Sequence, residues 1–376
     1  MQTKIHKLSF PDSKRILITS DIHGHATGLE ALLKKAGFNE QDMLVIVGDI
    51  VEKGPESLKT LRLIMKLVQS GNTYAMLGNV DLWRLEHLLS EDTSVQQELL
   101  NYSLKASKWW STSFLGELCQ EIGVTLSAEM NTQDVFRRLR IHFKEEFSFL
   151  ANLPTILETQ RMIFVHGGIP HENVDTLAET DCYPLLKRDH FLLEGHSFQK
   201  YVVVGHWPVA LYCKAFACHN PIIDEQQHII CLDGGCGLKE DGQLNLLAFS
   251  DWKSDAFTLY TWDDMPVITA IDAQEASEKS CYIPWERDRP QVTVLEQNQQ
   301  TSRILFNEHE MEIPSDFIFC ENEISYVHSI SDYHLEVHPG DRLSLVFSHP
   351  YGSYVKKDGI VGWYKGRSQQ ENAGRF

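Results

Sequence analysis

Five short apolar runs in this chain each stop at a glycine beside an aspartate, asparagine or histidine. Arg15–Ser20 (RILITS) runs into Asp21-Ile22-His23-Gly24, and Met43–Val47 runs into Gly48-Asp49. Thr73–Leu77 meets Gly78-Asn79, Met162–Val165 meets His166-Gly167-Gly168, and Tyr201–Val204 meets Gly205-His206. Short β-branched runs of this kind read as buried strands. Between the first three lie segments with helical spacing, Gly28–Lys35 and a helix that Pro55 opens as a first-turn residue, whose apolar face carries Leu58, Leu61, Ile64, Met65 and Val68. Strand, helix, strand, helix, strand implies parallel β-structure packed against helices. In such sheets ligands bind beyond the carboxyl ends of the strands. Asp21, His23, Asp49, Asn79, His166 and His206 should therefore converge at one edge of the core.

Those six residues dictate a chemistry. Carboxylate, imidazole and one amide oxygen suit Mn, Fe or Zn. Six donors are too many for one ion that keeps open positions, so a pair of divalent metals sharing a carboxylate fits better. Two such ions lower the pKa of a shared water and clamp a phosphoryl oxygen.

The rest of the chain sets bounds. The 376 residues carry 34 Lys and Arg against 52 Asp and Glu, a formal charge of −18. This balance opposes coating of a nucleic-acid backbone, which depends on Lys and Arg releasing counterions. No apolar run is long enough to span a bilayer, and the start, MQTKIHKLSFPDSKR, lacks the apolar centre of a secretory signal. Eight cysteines are too sparse for a disulfide scaffold and read as reduced thiols in a cytoplasmic protein. Cys213, Cys218, Cys231 and Cys236 cluster with His219 and His228, but their spacing departs from a zinc knuckle and small thiols are the simpler reading. From about 83 to 150 the pattern is helical, an insertion containing Trp109 and Trp110. Packing in the core or at a cap is the first reading for the two tryptophans, and lining of a cleft the second. A boundary falls near 265, giving a first domain of 1–265 and, over 266–376, a linker and a β-rich accessory domain.

The ordered set SDIHGH, GDIVEKG, GNVD, HGGIP, VVVGHWP and LDGGCG (232–237) resembles the calcineurin-like metallophosphoesterases. It is most similar to their phosphoprotein-phosphatase branch, which includes bacterial serine/threonine phosphatases and symmetrical dinucleoside tetraphosphatases. FLANLP (149–154) and LLKRDHF (185–191) match that branch too. The resemblance covers about 15–260 and implies an α/β fold, a β-sandwich flanked by helices. It implies that Asp21, His23 and Asp49 surround a first metal. Asp49 bridges to a second, which Asn79, His166 and His206 complete, and a metal-bridging hydroxide is the nucleophile. Arg188 and Lys53 are implied as phosphate-binding cations. The tail segments EIPSDF, LEVHPGDRLSLV and GIVGWYKGR resemble pieces of an SH3-like barrel, in an order unlike that of an ordinary one.

The sequence also departs from the branch. Val80 stands where the acid His is usual, Glu52 where its supporting Asp is, Lys53 where an Arg is, and Ser20 where a Gly is. Val80 cannot protonate a leaving group, a loss worth about 10²–10⁴ in rate. Glu52, His25 or Asp81 could substitute. Otherwise the enzyme should favour good leaving groups such as aryl phosphates, phosphotyrosine or polyphosphate anhydrides. A phosphoprotein and a dinucleoside polyphosphate both remain open as substrates. The alternative is a weakened protein that holds a phosphorylated ligand in the metal cleft and a protein partner through its C-terminal domain. Because net charge opposes anions, positive charge must be local: two metals, Arg188 and Lys53.

Overall fold

The computed structural model describes residues 1–11, 13–110, 112–251, 256–285 and 290–370. It forms two compact units, one of 1–207 with 221–262, the other of 208–220 with 263–376.

In the first unit the chain runs β1 (Ile5–Lys7), β2 (Ile16–Thr19), α1 (Ala26–Lys35), β3 (Met43–Ile46), α2 (Ser57–Gln69) and β4 (Thr73–Ala75). Five helices follow: α3 (Asn79–Leu89), α4 (Thr93–Trp109), α5 (Phe114–Glu121), α6 (Thr132–His142) and α7 (Lys144–Asn152). Then come β5 (Ile156–Glu158), β6 (Met162–Val165), β7 (Tyr201–Val204), β8 (Ile222–Asp224), β9 (Ile229–Cys231), β10 (Leu244–Phe249) and β11 (Phe257–Trp262). Pro55 does not open α2. It stands before the N-cap residue Glu56, in the loop that leaves β3.

The strands form two sheets, ordered β11-β10-β2-β3-β4 and β1-β5-β6-β7-β9-β8. β2, β3 and β4 are parallel, as are β6, β7 and β9. The returning strand β10 pairs antiparallel with β2, which the helix–strand alternation did not foretell.

Alternation along single strands explains the layering, since successive side chains point to opposite faces. In β2, Ile16 and Ile18 join Val45 from β3 and Phe164, Val203 and Ile230 from the other sheet in one core. Leu17 turns the other way, with Leu44 and Ile46, onto Leu29 and Leu32 of α1 and Leu61 and Ile64 of α2. A strand apolar on both faces is what burial between a sheet and a helical layer requires.

The helical insertion grows from that second core. Leu82, Leu85 and Leu88 of α3, Phe136 of α6 and Leu150 of α7 belong to the same cluster as α1 and α2. Side-chain caps fix where these helices start. Asp92 accepts from the Ser94 N–H at 2.8 Å, Ser113 from Gly116 at 3.1 Å and Asn131 from Asp134 at 3.1 Å. The core reading of Trp109 is corrected: it is 67% exposed, edge-on to Trp110. Among the described residues no helix is long and apolar enough to cross a membrane.

The second unit is β-rich, as the tail's punctuation by Pro and Gly implied. Its largest sheet orders Ile360–Tyr364, Gly352–Lys357, Arg342–His349, Val267–Ala270 and Ser368–Gln370. A three-stranded sheet joins Thr293–Gln297, Thr301–Phe306 and His309–Pro314. Trp363 anchors this unit, fully buried against Tyr351, Tyr354 and Phe347, its indole N–H donating to the Ser331 carbonyl at 2.8 Å.

Ile18 lies wholly inside the inter-sheet core. Ile18→Ala should destabilise the first unit by about 2–5 kcal/mol, read from denaturant unfolding.

Candidate metal centre

The loops after β2 and β3 run side by side and extend the β2–β3 ladder past the end of the sheet. Asp21 N–H donates to the Gly48 carbonyl at 3.1 Å, His23 to Asp49 at 3.0 Å and Gly24 to Ile50 at 2.9 Å. Left-handed backbone turns the side chains inward: φ is +52° at Asp21, +47° at His23, +50° at Asp49 and +66° at His206. Non-glycine residues in this region cost of order 1–3 kcal/mol each, a strain that accumulates at functional sites.

The result is a buried cluster. One ligand atom from each of Asp21, His23 and Asp49 lies within 4.8 Å of the others. Asp49 turns one oxygen to each side. Its Oδ2 lies 3.5 Å from His23 Nε2, and its Oδ1 lies 3.4 Å from His166 Nε2. On the second side Asn79 Oδ1 meets His166 Nε2 at 3.1 Å and His206 Nδ1 at 2.8 Å. All six residues singled out in the sequence are thus brought together, in two groups that share Asp49.

Each histidine is held by its other nitrogen. His23 Nδ1 faces the Val51 carbonyl at 3.3 Å, His166 Nδ1 the Val47 carbonyl at 2.8 Å, and His206 Nε2 the Asp189 carboxylate at 2.7 Å. These partners are acceptors, so the proton sits on the outer nitrogen and a lone pair faces the cluster, the orientation typical of metal-binding imidazoles. Glycines make room. A Cβ at Gly78 would lie 2.1 Å from the Asp49 nitrogen, and one at Gly205 would lie 2.2 Å from Asp21 Oδ2.

Electrostatics agrees with a cation site. Burial pushes Asp21 well above its usual range, and nearby Asp233 adds to it. Burial likewise pushes Asp81 to about 7 and Asp233 to about 6. Burial disfavours a charged His166, yet Asp49 and Asp21 raise it to about 10, so with no cation bound its Nε2 holds a proton toward Asp49 that a metal ion would displace to expose the lone pair. The cluster carries more carboxylate than its own bases neutralise. Lone pairs facing one another among excess acid fit divalent cations.

Around α3, helix capping fixes the second group. Asp81 accepts from the N–H groups of Ile50 (2.9 Å), Val51 (3.1 Å) and Gly78 (3.1 Å). This ties the post-β3 loop to the first turn of α3, where Asn79 sits. The Val80 N–H donates to Asp49 Oδ1 at 2.9 Å, which aims the helix N-terminus at that carboxylate.

The other expected residues are placed differently. Glu52 is fully buried and accepts from Arg84 Nε at 2.7 Å. Arg84 is itself covered by the rings of Trp83 and Tyr102. Arg188 closes its fork on Glu194, at 2.7 and 2.6 Å. Lys53 Nζ reaches His23 Nε2 at 2.9 Å. His25 Nδ1 bonds the Ile22 carbonyl at 3.0 Å, its ring against Trp262. Cys213, Cys218, Cys231 and Cys236 form no metal-ligand group among the described residues.

Sequence reasoning assigned no role to Asp189, Asp233 or Arg84. Asp233 carried a signal, an apolar strand ending in Asp-Gly like the others. Asp189 was adjacent to a residue already singled out. Arg84 follows Val80 by one helical turn and lacked any signal of its own.

Against known proteins, the model of the calcineurin-like phosphoesterase family matches residues 14–225. The chain belongs to that family. The symmetrical bis(5'-nucleosyl)-tetraphosphatase of Shewanella sp. (strain W3-18-1) is 40% identical over 178 residues, 46% of this chain and 52% of that one. The enzyme of that name from Psychromonas ingrahamii is 39% identical over 184 residues, 49% of this chain and 53% of that one. The chain spans about half the length of the curated relatives it matches. Among solved structures, a protein serine/threonine phosphatase from Saccharomyces cerevisiae is similar at 13% identity and a TM-score of 0.42, over 70% of this chain and 84% of that one.

Removing the carboxylate that orients His206 should loosen the second group. Asp189→Ala should weaken Mn²⁺ binding by about 10–100-fold in equilibrium dialysis, with unfolding little changed.

Proposed function

We propose that this chain is a phosphohydrolase dependent on divalent metals, manganese foremost, and that it cleaves phosphoanhydrides, with dinucleoside polyphosphates as the substrate class. The observation that carries the reading is Asp49, whose two oxygens face two separate sets of donors. Asp21, His23 and Asp49 would hold one ion, and Asp49, Asn79, His166 and His206 the other. Bound there, such ions supply an activated water and neutralise charge on the phosphoryl group.

The leaving group follows from what surrounds Asp49. Val80 offers only its backbone N–H, already given to Asp49. Glu52 gives Oε2 to Arg84 and buries Oε1 without a partner, which supports a positioning role, and Asp81 is committed to three backbone donors. With these groups engaged, a leaving group that departs stably as an anion is favoured over a serine alkoxide. The nucleotide released from a phosphoanhydride is such an anion. The names of the curated relatives support the same substrate class.

Local positive charge answers the acidic surface. Lys53 lies in the pocket, and Arg188 adjoins Asp189, which holds His206. Arg188 would reach a phosphate by exchanging Glu194 for it, a like-for-like swap of oxyanions on one guanidinium fork.

A second reading is favoured by one feature: Val80 supplies no acid, which suits a protein that holds a phosphorylated ligand with little turnover. Hydrolysis assays separate the two. Diadenosine tetraphosphate should be cleaved with Mn²⁺ far faster than phosphoserine, and chelator or Asp49→Asn should abolish it. Binding without cleavage would favour the second reading, and equal rates on both substrates would overturn the leaving-group argument.

The positioning role of Glu52 has its own check. Glu52→Gln and Arg84→Met each break a buried ion pair and should cost about 3–5 kcal/mol in unfolding experiments. The acid limb of the pH–rate profile should persist in Glu52→Gln. Its flattening would make Glu52 the proton donor.

A further inference from the structure

The two halves of the pocket differ in who already sits there. Asn79 Oδ1, His166 Nε2 and His206 Nδ1 face one another and Asp49, while Lys187, whose charge also reaches His206, is held by Asp189 on the far side of that imidazole. In the other half, Lys53 Nζ stands 2.9 Å from His23 Nε2. That is the nitrogen His23 turns toward Asp49 Oδ2 at 3.5 Å and Asp21 Oδ1 at 3.8 Å. Because His23 Nδ1 is given to the Val51 carbonyl, Nε2 is a lone pair, and the ammonium donates into it.

The backbone makes this approach a built feature. Lys53 is left-handed, with φ +68°, and Gly54 packs so closely that a Cβ there would lie 2.2 Å from the His23 carbonyl oxygen. The stem of Lys53 therefore starts beside His23. A unit charge at the end of a flexible stem can occupy this place or leave it, which a bulkier, planar guanidinium does less readily.

We propose that Lys53 is a built-in competitor for the cation of the His23 half, so that the two ions bind unequally. The Asn79–His166–His206 half fills first and tightly. The Asp21–His23 half takes its ion only when the ammonium swings out, at a cost in affinity. This rests on the metal-dependent reading above and deepens it.

The test uses the full chain stripped with chelator, Mn²⁺ as the probe, and two variants, Lys53→Met and Lys53→Gln, which keep much of the stem and drop the charge. Equilibrium dialysis gives the dissociation constants, and electron paramagnetic resonance separates isolated from exchange-coupled Mn²⁺. In the wild type the two constants should differ by about tenfold or more, with the coupled signal appearing only in excess metal. In both variants the gap should shrink to about threefold, with the coupled signal complete near two equivalents. Two equally tight ions in the wild type, or an unchanged gap in both variants, would overturn the proposal and leave the metal-dependent reading intact. No Mn²⁺ bound by the wild type at all would overturn both.

Discussion

Everything in this pocket hangs on the backbone bonds that join the loop after β2 to the loop after β3. Three N–H groups, of Asp21, His23 and Gly24, carry the sheet's ladder beyond its last regular residue. They hold left-handed turns that would be costly in isolation. The stability comes from the cores on either side, where strands apolar on both faces are clamped between a second sheet and a helical layer. A rigid scaffold thus supports a strained rim, and the rim brings the carboxylates and imidazoles face to face. Such preorganisation lets buried donors stay aimed at a common point without reorganising when charge arrives.

The departures at Val80, Glu52 and Lys53 form a connected set. With valine at the first turn of α3, a carboxylate at 52 has no imidazole to support. Instead Glu52 meets Arg84, one turn further along the same helix, and Trp83 and Tyr102 cover the guanidinium. An ion pair thus stands where the resemblance implies a proton-moving dyad in the related phosphatases. Lys53, next in sequence, then turns into the pocket, its ammonium 2.9 Å from His23 Nε2, where on the reading proposed above its charge would bear on a metal and on a phosphate.

Much of this was legible in the sequence because strand ends and ligand types coincide. Asp21, His23, Asp49, Asn79, His166 and His206 could be named in advance, since each follows an apolar run. Parallel pairing gathers the first four at the end of one sheet and the two later histidines at the end of the other, and the packing of the two sheets brings them together. The antiparallel β10 was hidden because an apolar hexamer reads the same in either direction. Its place in a helical stretch implies core or cap packing for Trp109, yet it is the last residue of α4, past Ala106, the last buried residue of that helix. Arg84 and Asp189 act through partners distant in sequence, and spacing carries no trace of such pairs. The fork of Arg188 illustrates the same limit, because its nearest anion depends on how a loop folds back.

On the proposed reading Asp49 stands between two cation sites. The most direct measurement is anomalous scattering from crystals grown at saturating Mn²⁺. Two peaks should flank Asp49, one against each carboxylate oxygen, with Asn79, His166 and His206 around the first and Asp21 and His23 around the second. A single peak, or peaks away from Asp49, would contradict it.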